Sequence, residues 1–401
     1  MALTKATHRM ITGAAGNVLD YGADNTGTND SAAAFNAALV DVDNVFIPPG
    51  TYKILSTVLI KTGQILSGSG EQGVCIIDAT VPAGDPVFQL GDSAVSLNYY
   101  PQISNMLIYL NTDDSTGVRL YGTANARVSN IRVMGDVGET ATSKTGFEVD
   151  GLNSAFFNQF DNCYGFKVNV GFDHINSGAS YSTQQVYINC SAVGGGTASA
   201  QVGFKFTLNQ GVDTVIIGGN TEGLDTGIQA QTAGLTVYGH RFEANTTDIV
   251  GSNTVANLAF IGCRNINTVS DLPSEQDSYG NNIFIGNNGT FGVNTHIESV
   301  TNIYAPAANK VPLNVQAYSS QTANMAEFKN NVGTALTAIG PDGRLIVGGT
   351  AAGQASKLVL GSTTSATVGS AGVASSLPAN PLGYLVAFVG TTEVRIPYYN
   401  A

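Results

Sequence analysis

Three short segments carry the residues best placed to do chemistry. Glu222 lies in VIIGGNTEG (215–223), Arg241 and Glu243 in TVYGHRFEA (236–244), and Arg264 in AFIGCRNIN (259–267). Gly218, Gly239 and Gly262 align at intervals of 21 and 23 residues, each after a short apolar strand holding Ile216, Val237 or Phe260. In that register Asn220, Arg241 and Arg264 make one outer ladder, and Glu222, Glu243 and Ile266 the next. Asp225 follows in the adjoining turn. Val237 and Phe242 differ in parity, so both face inward only if the chain bends near Gly239. Stacked strands put Glu222 and Glu243 about 5 Å apart, the carboxylate separation of a retaining glycosidase. Repulsion between them would raise the pKa of one, as a general acid needs. Arg241 and Arg264, with His240 beside them, suit an acidic sugar or the orientation of a carboxylate. The plainer alternative is a solvated face on which the glutamates pair with the arginines. Asp136 and Glu139 in GDVGETATSKTG, Asp161 and Asp173 are further carboxylates to weigh.

Aromatic residues concentrate in the middle third: Tyr99-Tyr100, Phe156-Phe157, Phe160, Tyr164, Phe166, Phe172, Tyr181 and Tyr187. Aromatic faces stack on sugar rings, and tyrosines add hydrogen bonds. Most of the phenylalanines are expected in the core. Tyr181 and Tyr187 are expected at the surface, as binding residues.

Other chemistries find no support. No HExxH, GxSxG, GxGxxG or phosphate-loop pattern occurs, and the four histidines are scattered. LDYGADNTGTND offers alternating oxygens but lacks the glycine and late glutamate of a calcium loop, so it reads as a capped turn. Cys75, Cys163, Cys190 and Cys263 are far apart, which suggests buried free thiols. No metal or cofactor is expected. A net charge of −12 opposes nucleic-acid and anionic-membrane partners. No apolar run is long enough for a membrane span, and the N-terminus lacks a secretory core, so synthesis in a cytoplasm is expected.

What must position the glutamates is a stack of strands. Gly makes up 48 of 401 residues, charged residues are only 11 %, and hydrophobic residues reach 43 %: a strand-and-turn composition with a core to bury. Strand–turn units recurring every 20 to 30 residues point to a solenoid, a parallel β-helix. Asn162-Cys163 and Asn189-Cys190 echo the same repeat. The first coil of a solenoid exposes an apolar end and needs a cap. NDSAAAFNAAL (29–39) supplies one: N-cap residue types, then an Ala-rich helix with Phe35 and Leu39 on one face.

LDYGADNTGTNDSAAAFNAAL followed by VFIPPGTYKI resembles the start of the pectate-lyase-like right-handed β-helix domain common in bacteriophage tailspikes and tail-associated depolymerases. The C-terminal third, after a loose connection near residue 300, reads as hairpins. AEFKNNVGTALTAIGPDGRLIVGG is similar to small β modules that intertwine three chains, and PLGYLVAFVGTTEVRIPYYN is similar to a terminal strand pair of the same proteins. The expected fold is therefore all-β: a right-handed parallel β-helix with a short capping helix and a small C-terminal β trimerisation region. The expected divisions are 1–16 for attachment, 17–300 for the capped β-helix, and 301–401 for the C-terminal region. The resemblance implies a homotrimeric virion tail protein, made in the host cytoplasm and acting outside it. Its N-terminus would dock on another tail protein, and its body would bind, and as a glycoside hydrolase cleave, a bacterial surface polysaccharide. A polysaccharide lyase and a non-enzymatic structural or adhesion protein are the alternatives.

Overall fold

The computed structural model describes residues 14–270, apart from 71–73, 93, 96, 136–142, 152–153, 179–180, 196–200, 208–209, 233 and 252–257. Beyond them it describes residue 381 and the strands at 283–285, 296–297, 326–329, 335–339, 345–347, 383–389 and 392–398. Two units divide the chain, Met1–Thr301 and Asn302–Ala401.

In the first unit each coil is a run of short strands whose inner residues are apolar. The strands stack in parallel and in register on those of the next coil. One inner ladder runs Val45, Leu66, Ile103, Val128, Phe160, Tyr187, Ile216, Val237, Phe260. A second runs Val58, Phe88, Val118, Phe147, Phe172, Phe204, Ile228, Ile249. A third runs Ile77, Ile108, Val133, Gly165, Ala192, Thr221, Phe242. Like sits on like, so rings stack face to face: Phe172 lies 4.5 Å from Phe204 and 4.9 Å from Phe147, and Phe160 lies 4.7 Å from Tyr187. The third ladder narrows to Gly165 and Ala192 in the coils where the others carry those rings. The expected fold class thus stands, a right-handed parallel β-helix, the hand that parallel crossovers take. All four cysteines are buried free thiols.

The corners are residues in the left-handed conformation, single ones except at Gly218-Gly219. Asn105, Asn130, Asn162 and Asn189 occupy one corner of successive coils with φ between 51° and 62°. Asparagine tolerates this region because its side chain bonds locally. Here the amides also chain together: Asn162 donates to Asn130 (2.9 Å), and Asn130 to Asn105 (3.0 Å). The same corner passes to Gly218, Gly239 and Gly262 (φ 68°, 62° and 64°). The bend expected at Gly239 is therefore real, and Val237 and Phe242 both point inward, fully buried.

The helix Ala32–Asp41 closes the N-terminal end, with Phe35 and Leu39 buried and the Phe35 ring edge-on to Tyr52 at 5.5 Å. Its first free N–H, on Ala32, donates to the Asp30 carboxylate, while the Ser31 hydroxyl turns away to bond Asp24. Asp24 is engaged by both N–H and hydroxyl of Thr26 and by Asn29. Those bonds, the Thr26 hydroxyl first, hold its carboxyl far below the usual carboxylate range. LDYGADNTGTND is thus more than the capped turn expected of it: it leaves a 3-10 helix, Val18–Tyr21, turns around Asp24, and enters the strand Thr26–Asp30, which pairs in parallel with Gly50–Ile54. In the second unit, Ala326–Lys329, Ala335–Ile339 and Leu345–Val347 form an antiparallel sheet, and Gly383–Val389 pairs with Thr392–Tyr398. The turn residues 331–333 and 340–343 lie outside the described residues.

Two histidines belong to the core. His174 shares a 2.7 Å hydrogen bond with Tyr187 Oη, and its ring lies 4.6 Å from Phe206. His240 donates from Nδ1 to the Gly218 carbonyl (2.9 Å), leaving Nε2 to accept from the Thr221 hydroxyl (3.3 Å). Burial pushes the pKa of His174 down to about 3 and that of His240 down to about 4, from 6.5.

Phe35→Ala should cost about 3–5 kcal/mol, because it empties a buried site at the capped end. Val40→Ala, on the exposed face of the same helix, should stay within about 0.5 kcal/mol. Urea midpoints of the two variants check this. The histidines predict acid lability. Their folded pKa values lie below the unfolded one, so their contribution is complete above pH 6.5 and is lost as pH falls towards 4. Each histidine should lose about 1.4 kcal/mol per pH unit in that window. Chemical denaturation from pH 7 to 4 should show a shallower pH slope for His240→Gln than for wild type; an identical slope would refute a buried neutral His240.

Candidate functional site

Strand Asn220–Glu222 pairs in parallel with strand Arg241–Glu243, matching Asn220 to Arg241, Thr221 to Phe242 and Glu222 to Glu243. Thr221 and Phe242 are buried. Alternation along a strand then turns both glutamates and Arg241 outward. A bridge sets Arg264 beside Arg241, so the ladder Asn220, Arg241, Arg264 exists as the spacing predicts. The glutamate ladder is one rung shorter than expected. Asn265 enters the left-handed region (φ 59°), which flips the parity after Arg264 and sends Ile266 into the core.

The side chains are partly engaged. Arg241 Nη2 lies 2.6 Å from Glu243 Oε2, with the two side chains 51 % and 37 % exposed. An ion pair this open to water contributes little stability. Asn220 Nδ2 donates to Glu222 Oε2 at 3.3 Å. Arg264 and Asp225 are exposed, Asp225 immediately before the strand Thr226–Ala230. The arrangement offers two carboxylates on neighbouring strands and two guanidinium groups on one solvated face. That can bind a polyhydroxylated or acidic ligand, and it sets two carboxylates in register on adjacent strands.

Three expected site residues do not join this face. His240 is wholly buried, because it follows the left-handed Gly239 and its ring packs edge-on to Phe242 at 4.9 Å. Tyr187 is also a core residue, stacked on Phe160 and bonded to His174. Its inward place is set by the register with Phe160 and Ile216. Tyr181 is exposed, but it precedes the strand Ser182–Thr183 of a different, four-stranded sheet. Asp136 and Glu139 lie outside the described residues.

A second group of charges was only partly visible in the sequence. Arg119, Glu148, Asp173 and Lys205 form an outer ladder on the nine-stranded sheet. Arg119 pairs with Glu148, and Lys205 Nζ lies 3.1 Å from Asp173 Oδ2. Both carboxyls are held above their usual range, chiefly by burial and against the pull of their cations. Asp173 Oδ1 is buried without a hydrogen-bond partner. Asp173 is among the carboxylates the sequence brings forward; Glu148 is not. The signal that would have found it is the spacing of Phe147, Phe172 and Phe204, which puts residues 148, 173 and 205 on one line. Among the described residues no three His, Cys, Asp or Glu side chains gather as a metal site, and no helix is long and apolar enough to cross a membrane.

The family model for rhamnogalacturonase A/epimerase, pectate lyase-like, matches residues 15–229. Comparison with curated proteins gives no match. Among solved structures, the chain is similar to ORF18 of Geobacillus virus E2 at 18 % identity and a TM-score of 0.47, over 68 % of this chain. It spans only 61 % of that protein. It is similar to the gp42 tailspike of Acinetobacter phage vb_AbaP_AS12 at 11 % identity and a TM-score of 0.45, over 81 % of this chain and 70 % of that one. WceF of Pantoea stewartii, a glycan biofilm modifying enzyme with a bacteriophage tailspike-like parallel β-helix fold, is similar at 16 % identity and a TM-score of 0.42, over 72 % of this chain and 44 % of that one. The family match takes in more than half of the chain and begins at the first strand, Gly16–Asn17: the chain belongs to the rhamnogalacturonase A/epimerase, pectate lyase-like family.

Proposed function

We propose that the protein is a phage tailspike, a virion tail protein that binds a bacterial surface polysaccharide and hydrolyses it at Glu222 and Glu243. The observation that carries this reading is their placement on adjacent strands, on a solvated face beside Arg241. Membership of a family named for a rhamnogalacturonase makes a polysaccharide the fitting substrate. Glu243, held by a guanidinium, attacks the anomeric carbon. Glu222, held by a neutral amide, gives its proton to the leaving glycosidic oxygen as the C–O bond breaks. Water then cleaves the glycosyl ester and returns a proton to Glu222, completing a retaining cycle. Arg241 and Arg264 hold acidic groups of the glycan, and Asp225 lies at the edge of the face. The chain assembles as a homotrimer through residues 301–401 and docks on another tail protein through residues 1–16. Three equivalent sites on one particle suit weak, multivalent attachment to a repetitive glycan.

A binding-only reading is favoured by one observation, the Arg241–Glu243 ion pair, which already occupies the carboxylate assigned to attack. Incubation with purified capsular polysaccharide separates the readings. Hydrolysis gives new reducing ends without the near-ultraviolet absorbance of the unsaturated ends that a lyase makes. Glu222→Gln and Glu243→Gln should each lower the hydrolysis rate roughly 10²–10⁴-fold while leaving the fold intact. Unchanged cleavage in both variants would move the chemistry elsewhere, with Glu148→Gln and Asp173→Asn the next variants to measure.

A further inference from the structure

A second polar surface lies in earlier coils, on the other strand of the large sheet's bend. Gln102 and Ser104, Arg127 and Ser129, and Gln159 and Asp161 stand in register on three successive coils. They line an open cavity of ≈ 190 Å³. Among the described residues, the side chains of Gln102, Arg127, Ser129, Gln159 and Asp161 make no hydrogen bond or ion pair. Arg127 and Asp161 sit on adjacent strands without closing on each other. Five polar side chains left unengaged around one concavity are available to a ligand.

Two residues upstream of this row runs another left-handed corner. Gly63, Tyr100, Asn125, Phe157, Gln184, Asp213 and Gly234 hold it in turn, with φ between 55° and 75°. Glycine, Asn and Asp are the residues that tolerate such a turn; a tyrosine (φ 59°) and a phenylalanine (φ 58°) there are genuine outliers. Folding does not recover that cost through burial, because Tyr100 and Phe157 are 57 % and 52 % exposed. Tyr99, also exposed, adjoins Tyr100, and Phe156 meets Phe157 edge-on at 5.5 Å. Strained backbone combined with exposed rings, in the same coils as the unengaged polar row, points to a ligand that uses both.

We infer that these coils bind a saccharide chain, its ring faces on Tyr100 and Phe157 and its hydroxyls on the polar row from Gln102 to Asp161. Tyr100 and Phe157 are two coils apart, roughly 10 Å along the axis, so the ligand is a polymer lying along the solenoid. Amides and hydroxyls outnumber charges in the row, which suits the neutral, hydroxyl-rich units of the glycan whose acidic groups meet Arg241 and Arg264. The inference rests on the glycan-binding reading above and assigns it a place distinct from Glu222 and Glu243.

The test uses the full-length chain on an array of immobilised bacterial capsular and O-antigen polysaccharides. Tyr100→Asn/Phe157→Asn is the main variant, because Asn125 already holds the same corner in the coil between. Gln159→Ala/Asp161→Ala is the second and leaves the corner untouched. Whichever polysaccharide retains the wild type should bind each double variant at least tenfold more weakly. The Asn pair should melt no lower than wild type and keep its light-scattering mass. Undiminished binding by both variants overturns this site and leaves the glycan reading standing. A changed mass for the Asn pair overturns it differently, by making the corner a contact between copies of the chain. A wild type that binds nothing on the array overturns the glycan reading, and this site with it.

Discussion

Everything in the β-helix depends on one constraint: each coil must lie in parallel register on the coil before it. Parallel ladders use every backbone N–H and C=O only if equivalent residues stack. Because side chains alternate with period two, a slip of one residue would turn the whole inner set outward. The corners enforce the register. A single residue at positive φ reverses parity within a coil, which is why Val237 and Phe242 both reach the core while Arg241 and Glu243 stay outside. Asn265 shows the same rule at work: the preceding coils turn at Gly223 and Ala244, after the glutamates, whereas Asn265 turns directly after Arg264 and Ile266 enters the core.

Stacking identical environments is favourable for some side chains and costly for others. Rings gain, as Phe147, Phe172 and Phe204 do, and amides gain, as Asn162, Asn130 and Asn105 do, Asn162 donating to Asn130 and Asn130 to Asn105. Charges do not, since like charges on adjacent strands repel. The nine-stranded sheet meets this by bracketing Glu148 and Asp173 between Arg119 and Lys205, in a region where burial disfavours ionised carboxyls. The Glu222–Glu243 face meets it with Arg241 and water. A buried ladder of mixed sign suits cohesion between coils. An open one, with carboxylates accessible to solvent, suits a ligand.

The sequence made the solenoid, its cap and the 218/239/262 register legible because glycine punctuation and apolar strands repeat at nearly constant spacing there. Earlier coils were harder to see. Their corners use Asn105 and Asn130 rather than glycine, and their lengths vary, so the aligned positions do not announce themselves. His240 and Tyr187 were misplaced for a related reason. Both are residue types that appear on surfaces, and along strands this short a shift of one position decides between core and solvent. The burial of His240 follows only once Gly239 is known to carry the turn, and that of Tyr187 only once it is aligned with Phe160 and Ile216.

The polar row from Gln102 to Asp161 also has a boundary that the ladders explain. Its two outer positions continue through the next coils as Val186 and Ile188, Val215 and Ile217, Thr236 and Tyr238, and Ala259 and Ile261. The same two lanes of the same sheet therefore change from amide, hydroxyl and charge to almost wholly apolar within a single rise of about 4.8 Å. The backbone does not change there, since the register runs on unbroken. Side-chain chemistry alone ends the row: the adjoining corner keeps its asparagine one coil further, at Asn189, before glycine takes it at Gly218. A hydroxyl-rich chain following the row past Asp161 would exchange hydrogen-bonding partners for Ile188 and Ile217 and leave its own polar groups unmatched. The row is thus limited to the coils that hold Tyr100 and Phe157, and the Glu222–Glu243 face, on the other strand of the bend and in later coils, stays a separate surface.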